Sequence, residues 1–295
     1  MSSQKPPGPL VDLSLVIVAL IWGATFVLVK RALADVSTLL FLTLRFALAT
    51  LALLFLFRKH LRGPRFAHSL RGGLLAGACL FAGYVLQTFG LKYTSASKTG
   101  FITGLNIPLV PLFSSIIYRR LPRLAELAGV ATAFLGLALM TVERDLLSLS
   151  PGDLLVGGCA VAYAFHILVL GRYAKTADTG VLTVTQIATA GVLSAGTFWW
   201  AEPIRIQWSR DVWIALAVTS MLATALAFGV QTWAQRWSSP TRTALIFSME
   251  PVFAWATSYV VAGELLSRRA TVGAGLILAG ILLVELKPAA VPARQ

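Results

Sequence analysis

Apolar runs separated by short polar or basic connections fill the chain. A helix needs roughly 20 apolar residues to cross a bilayer. Ten runs approach that length: 13–29, 38–57, 72–90, 99–118 and 124–142, then 154–171, 181–200, 212–233, 243–262 and 271–286. Most connections carry Pro, Gly or charge, the usual residues of turns. The pattern predicts an all-α integral membrane protein of ten transmembrane helices, with no room for a soluble domain.

The second set of runs repeats the first. Segment 84–108 reads YVLQTFGLKYTSASKTGFITGLNIP and segment 228–251 reads FGVQTWAQRWSSPTRTALIFSMEP. An offset of 144 pairs Tyr84 with Phe228, Gln87 and Thr88 with Gln231 and Thr232, Gly104 with Ser248, and Asn106 with Glu250. Gly129 and Gly136 fall on Gly273 and Gly280. The first helix of each half agrees at an offset of 141, with Asp12, Trp22 and Arg31 on Asp153, Tyr163 and Arg172. Two five-helix repeats follow, over residues 1–145 and 146–295. Five is odd, so the second repeat enters the membrane from the opposite side and the repeats are inverted. Secondary transporters use that architecture, with substrate at the midplane between repeats.

Composition agrees, since 57% of residues are hydrophobic and 13% charged, against about 25% charged in soluble domains. The net charge of +13 sits in short clusters between apolar runs, which reads as a topology signal rather than a nucleic-acid surface. With a cytoplasmic N-terminus, 15 Lys and Arg fall on the cytoplasmic side and 9 on the other, so both termini are expected in the cytoplasm. Ala32-Leu33-Ala34 looks like a signal-peptide cleavage site. Lys30 and Arg31 precede it, however, so an uncleaved first helix is the expectation. Cys79 and Cys159 lie inside predicted helices and read as small apolar residues, not as a disulfide or metal pair. The Trp199, Trp200, Trp208 and Trp213 side chains, near run ends, read as interface anchors.

Polar residues inside the runs are the candidate site. Glu250 precedes Pro251 in the middle of the ninth run. A carboxylate at that depth is costly and a proline kinks the helix, so the pair is expected to face a cavity, the bland alternative being a satisfied structural carboxylate. Arg45 lies well inside the second run. It has three readings: binding a substrate carboxylate, pairing with Glu250, or satisfying backbone carbonyls. Thr99, Thr103 and Asn106 line one face of the fourth run, and Thr243, Phe247 and Glu250 the ninth. Gly100, Gly104 and Pro108 form a second face suited to close helix packing. Tyr84, Gln87 and Thr88, with Gln231 and Thr232, extend the polar set. Trp22 with Thr25, and Tyr163 with His166, add aromatic rings and a group that titrates near neutral pH. Gathered together they make an aromatic-lined pocket with a few polar groups, against the alternative of core packing. Lys98 and Arg242, at corresponding helix starts, read as snorkelling residues.

These residues lie in stretches that resemble the EamA family of the drug/metabolite transporter superfamily. The similarity runs through IWGATFVLVK, RFALATLALL from Arg45, and LNIPLVPLFSSIIYRRLPRLAELAGVATAFLGLALM. Its most specific part is SMEPVFAWATSYVVAGELLSRRATVGAGLILAGILLVE, with Glu250-Pro251 and Gly263-Glu264. The chain departs from the pattern at Arg119-Arg120-Leu121, where the first repeat would show a Gly-Glu pair. The resemblance implies an inner-membrane carrier of ten helices with a central cavity, and within the family the sequence looks most like the YddG-type aromatic amino-acid exporters.

The combined expectation is a non-enzymatic exporter of neutral, aromatic or bulky amino acids. Trp22, Arg45, Tyr84, Gln87, Asn106, Tyr163, His166, Gln231 and Glu250 form its site, with no cofactor or metal. Its partners are a small-molecule substrate, the bilayer and possible protons. Arg45, Asn106 or a helix N-terminus would meet the carboxylate, and Glu250 the ammonium with help from Trp22 or Tyr163. The rivals are an amine or multidrug exporter, a passive facilitator and a membrane-embedded enzyme. For the last, the chain shows no His-Glu-x-x-His, Gly-x-Ser-x-Gly or intramembrane Asp pair.

Overall fold

The computed structural model describes residues 8–60, 63, 65–91, 93, 99, 102–119, 121–141, 150–262 and 267–285. Lys98, Gly100, Arg120, Gly263, Glu264 and most of the connection between the halves lie outside them. Among the described residues the regular secondary structure is all helical, apart from one isolated antiparallel bridge between Val36 and Ile206. In chain order the helices are α1 (Gly8–Ala32), α2 (Thr38–Phe57), α3 (Phe66–Leu91), α4 (Asn106–Tyr118), α5 (Leu124–Thr141), α6 (Pro151–Tyr173) and α7 (Thr179–Ala195). After a single turn at Phe198–Ala201 come α8 (Arg210–Ala234), α9 (Pro240–Phe247), α10 (Glu250–Ala262) and α11 (Arg268–Glu285). Six described helices or windows are long and apolar enough to cross a membrane: Gly8–Thr25, Thr38–Phe57, Phe66–Gly90, Pro151–Tyr173, Thr179–Ala201 and Arg210–Ala234.

Two of the remaining apolar runs are interrupted for an identifiable reason. The ninth run divides at Ser248-Met249 into α9 and α10, and the fourth turns at Gly104-Leu105 before α4 begins. A proline removes the donor to the carbonyl four residues back and crowds it. Pro251 acts on Phe247 in this way, and Pro108 on Gly104. The turns tighten to three-residue hydrogen bonds, with the Met249 N–H on the Ile246 carbonyl at 3.1 Å and the Ile107 N–H on the Gly104 carbonyl at 3.0 Å. α8 is continuous but contains a π-helical turn over Met221–Leu226.

Helix starts are set by local sequence. Ser150 and Asp153 form a reciprocal capping box at α6, with Pro151 in its first turn. Asp178, Ser209 and Ser239 cap α7, α8 and α9 with side-chain oxygens, which satisfies otherwise orphaned N–H groups. α3 packs against α6 and α7, α2 against α7 and α8, and α1 against α8, α9 and α10. α4 packs on α6 and α9, and α5 on α11. Glycine sets the last approach: a Cβ on Gly136 would meet the Gly273 carbonyl oxygen at 2.5 Å, and one on Gly280 the Gly129 oxygen at 2.6 Å. Trp199, Trp200, Trp208 and Trp213 are exposed, as expected of interface anchors, and both cysteines are free.

Candidate functional site

The two interrupted helices place two of the candidate polar residues at helix starts. Asn106 is the first residue of α4 and Glu250 the first of α10. Each begins a half-helix whose N-terminal amides favour negative charge. Both side chains are partly buried. α1 passes the second break closely, since a Cβ on Gly23 would lie 2.6 Å from the Glu250 carbonyl oxygen and 2.8 Å from the Ala254 nitrogen.

Arg45 is buried at 5% exposure, and its partners are neutral. Nε donates to Thr224 Oγ1 at 2.7 Å. Nη2 donates to Tyr84 Oη at 3.1 Å and to the Ala223 carbonyl at 3.4 Å. The guanidinium carbon lies 5.0 Å from the Tyr84 ring centre. Nη1 has no protein partner among the described residues. Of the three sequence readings, pairing with Glu250 is not what the fold adopts, because neither side chain has an ionic partner among the described residues. The carbonyl reading is met in part, by Ala223.

The π-helical turn creates this arrangement. The Ala223 carbonyl, within this turn, receives both Arg45 and the Trp22 Nε1–H, the latter at 2.9 Å. Such turns recur at functional positions. The offset of 144 puts Cys79 and Leu80 opposite Ala223 and Thr224, in the middle of α3, which is regular α-helix there. The cation site is thus one-sided in a chain that otherwise repeats. Thr224 lies in an apolar run and gives no sequence signal.

A second polar set adjoins Arg45. Tyr84 and Tyr163 meet edge to face with ring centres 5.9 Å apart. Tyr163 Oη donates to Gln87 Oε1 at 3.3 Å, and Gln87 Nε2 donates to Thr103 Oγ1 at 3.2 Å. Gly83 makes room for the Tyr163 ring, because a Cβ there would meet Cε1 at 2.3 Å. Glu250 lies within electrostatic range of Tyr84, Tyr163 and Cys159, and Arg45 within range of both tyrosines. A cation and a carboxylate, each without an ionic partner among the described residues, therefore both act electrostatically on one aromatic pair. Trp22 closes the set against Phe228 and Phe247, with ring centres at 5.3 and 4.9 Å.

His166 and Gln231 belong to another network. His166 Nε2 lies 2.9 Å from Gln186 Oε1, and Gln186 Nε2 donates to Thr232 Oγ1 at 2.8 Å. Because Gln186 uses its amide hydrogens on Thr232, its oxygen accepts from His166, which fixes a proton on Nε2. Gln231 donates to Gln235 Oε1 at 3.1 Å, and Gln235 donates to the Ile167 carbonyl at 2.9 Å. All five side chains are buried. These groups join α6, α7 and α8, whereas the sequence places His166 and Gln231 with the substrate. Gln186 is the member that sequence reasoning misses. Its signal is an amide in the middle of the seventh apolar run, a costly residue there unless it finds partners. Separately, a cleft of about 230 Å³ between Val36, Thr38, Glu202 and Arg205 lies at the α1–α2 connection, away from both networks.

Comparison with known proteins bears on the whole chain. The model of the EamA-like transporter family matches it twice, over residues 9–142 and 150–286. An uncharacterized transporter of Archaeoglobus fulgidus is 33% identical over 94% of this chain and 86% of its own. The uncharacterized transporter YyaM of Bacillus subtilis is 27% identical over 88% of each chain. The uncharacterized inner membrane transporter YedA of Escherichia coli is 21% identical over 93% of this chain and 90% of its own. One solved crystal structure superposes with a TM-score of 0.80, covering 94% of this chain and 97% of that one at 19% identity. That similarity extends the fold to an experimental structure.

Proposed function

The chain belongs to the EamA-like transporter family, and from that premise we propose that it exports neutral amino acids with aromatic or bulky side chains across the inner membrane. The observation that carries this reading is that Arg45 and Glu250, neither with an ionic partner among the described residues, both lie within electrostatic range of Tyr84 and Tyr163. A buried charge without a counter-ion is costly, and a zwitterionic substrate brings both counter-ions at once. The carboxylate meets Arg45 at its unused Nη1, and the ammonium meets Glu250. The Tyr84, Tyr163 and Trp22 rings take the side chain and add cation–π attraction to the ammonium.

Alternating access is the proposed mechanism, with two inverted five-helix repeats over 1–145 and 146–295 rocking about this site. The twofold family match supports it, as does the way helix contacts exchange between halves. α1 on α8 answers α6 on α3, and α1 on α9 and α10 answers α6 on α4. α2 on α7 and α5 on α11 answer themselves. Ten crossings would put both termini on one side of the membrane, and the excess of Lys and Arg on that side favours the cytoplasm. The inner membrane is the location of the similar transporter YedA.

Uptake of labelled tryptophan, phenylalanine and methionine into liposomes holding the purified protein tests the reading. Saturable uptake that falls in both Arg45→Ala and Glu250→Gln is the expected result. Repeating it with and without a pH gradient distinguishes proton coupling from facilitation. Transport of quaternary amines that is insensitive to Arg45→Ala, with no amino-acid uptake, would replace this reading by amine export.

A further inference from the structure

The sequence has no Asp or Glu between Asp35 and Glu126, while Arg58, Lys59 and Arg65 crowd the connection from α2 to α3 and Arg71 lies in the second turn of α3. All four are exposed, and none has a carboxylate partner among the described residues. The α6–α7 connection adds exposed Arg172 and Lys175. The two connections are docked on each other. His68 Nε2 lies 2.9 Å from Thr176 Oγ1, the His68 and Tyr173 ring centres are 5.0 Å apart, and the Asp178 N–H donates to Ser69 Oγ at 2.9 Å. Asp178 is the carboxylate at this joint, and its Oδ1 already accepts the Val181 N–H at 3.0 Å as the cap of α7. Six exposed cations thus share one surface with a single described carboxylate, Asp178, and none of the six is paired with it.

The apolar neighbours of that surface give its depth. Phe55 and Leu56, in the last turn of α2, are 73% and 68% exposed, and Phe66 at the start of α3 is 39% exposed. The Arg58 guanidinium stands 5.1 Å from the Phe55 ring centre. A ring directed at acyl chains with a guanidinium above it is the arrangement of a snorkelling residue at a bilayer surface. Clusters of four to eight Lys and Arg beside a spanning helix attract anionic lipids electrostatically. A soluble polyanion would have to compete for the same cations against headgroups held next to them.

We propose that the joined α2–α3 and α6–α7 connections are a docking surface for anionic phospholipid headgroups. The phosphates bridge the two connections, so an anionic membrane holds the start of α3 against the start of α7. This is independent of the transported substrate. The test uses the full chain in nanodiscs of phosphatidylcholine, with or without phosphatidylglycerol, and reads the midpoint of thermal unfolding. The expected result is a higher midpoint with phosphatidylglycerol, reduced by salt because exposed charges are screened. The gain should be lost in the R58Q/K59Q/R65Q/R71Q variant and kept in R268Q/R269Q, which neutralises exposed charges elsewhere. Equal midpoints for the unmodified protein in the two membranes would overturn the proposal, as would a gain that survives the fourfold variant. If inorganic phosphate in phosphatidylcholine discs reproduces the whole gain, the ligand is free phosphate and the lipid assignment fails. A fourfold variant that does not fold leaves the two-membrane comparison decisive, with R172Q/K175Q as the second variant.

Discussion

Asp12 and Arg242 form a two-pronged ion pair that ties the beginning of α1 to the first turn of α9. Arg242 Nε donates to Asp12 Oδ1 at 2.8 Å and Nη2 donates to Oδ2. The Asp12 and Arg242 side chains are 15% and 31% exposed, respectively, so the pair lies between a surface bridge and a buried one. Asp12→Asn is expected to cost about 1–3 kcal/mol in unfolding free energy, between the ranges of those two classes. The charge-swapped D12R/R242D protein should recover part of that loss. A double-mutant cycle built on thermal unfolding measures the coupling, and purely additive costs would show that the pair contributes nothing.

The π-helical turn of α8 makes Thr224 a positioning residue for Arg45. Thr224→Val keeps the shape and removes the acceptor for Nε, a hydrogen bond to a charged donor of about 1.5–3 kcal/mol. The expected result is a rise in KM for amino-acid uptake of about tenfold or more with little change in maximal rate, about 1.4 kcal/mol per factor of ten. Thr224→Ser should restore it. Arg45→Lys should not, because a single ammonium cannot reproduce the fork that reaches Thr224, Tyr84 and the Ala223 carbonyl together. Equal KM values in the Val and Ser variants would remove Thr224 from the site.

Gly83 sets the room available to Tyr163. An added methyl would sit 2.3 Å from ring Cε1 and 2.5 Å from Cδ1, a contact that forces the ring toward its neighbours. Overpacking of this kind costs about 1–3 kcal/mol. Gly83→Ala should therefore depress tryptophan uptake more than methionine uptake, since the larger side chain competes with the displaced ring. Competition between the two labelled substrates measures the ratio, and an unchanged ratio would place Tyr163 outside the substrate's path.

Much of this organisation is legible in the order of residues alone. Hydropathy locates the spanning segments, and the offset of 144 pairs Gly136 with Gly280 and Asn106 with Glu250. Pro251 announces an interruption, although the break falls upstream of it, where the carbonyl is crowded, whereas Pro108 reads as part of a packing face and its matching break is not anticipated. The partners of Arg45 are not legible. Thr224 looks like any threonine in an apolar run, and nothing in the residue order marks Met221–Leu226 as the π-helical turn whose Ala223 carbonyl receives Arg45 and Trp22. His166 is legible as a buried polar residue but not as Gln186's partner, since the two residues, 20 apart in sequence, sit on helices α6 and α7 that each pack on α3.

The glycine contacts between α5 and α11 carry the last prediction. Gly136 faces the Gly273 carbonyl and Gly280 faces the Gly129 carbonyl, so that an added methyl would lie 2.5 and 2.6 Å from the respective oxygens. The two helices therefore touch through backbone at two corresponding places. Ala at either site must push the helices apart, because backbone cannot yield as a flexible side-chain end does. Gly136→Ala and Gly280→Ala are each expected to cost about 1–3 kcal/mol. If the halves are inverted copies, the two losses should be alike, because each alanine meets the same surroundings in the opposite half. The double variant should fall short of the sum, because once the first methyl has separated the helices the second meets less resistance. Thermal unfolding of the three variants reads both relations. A large loss in one single variant and none in the other would argue against inverted repeats at this interface.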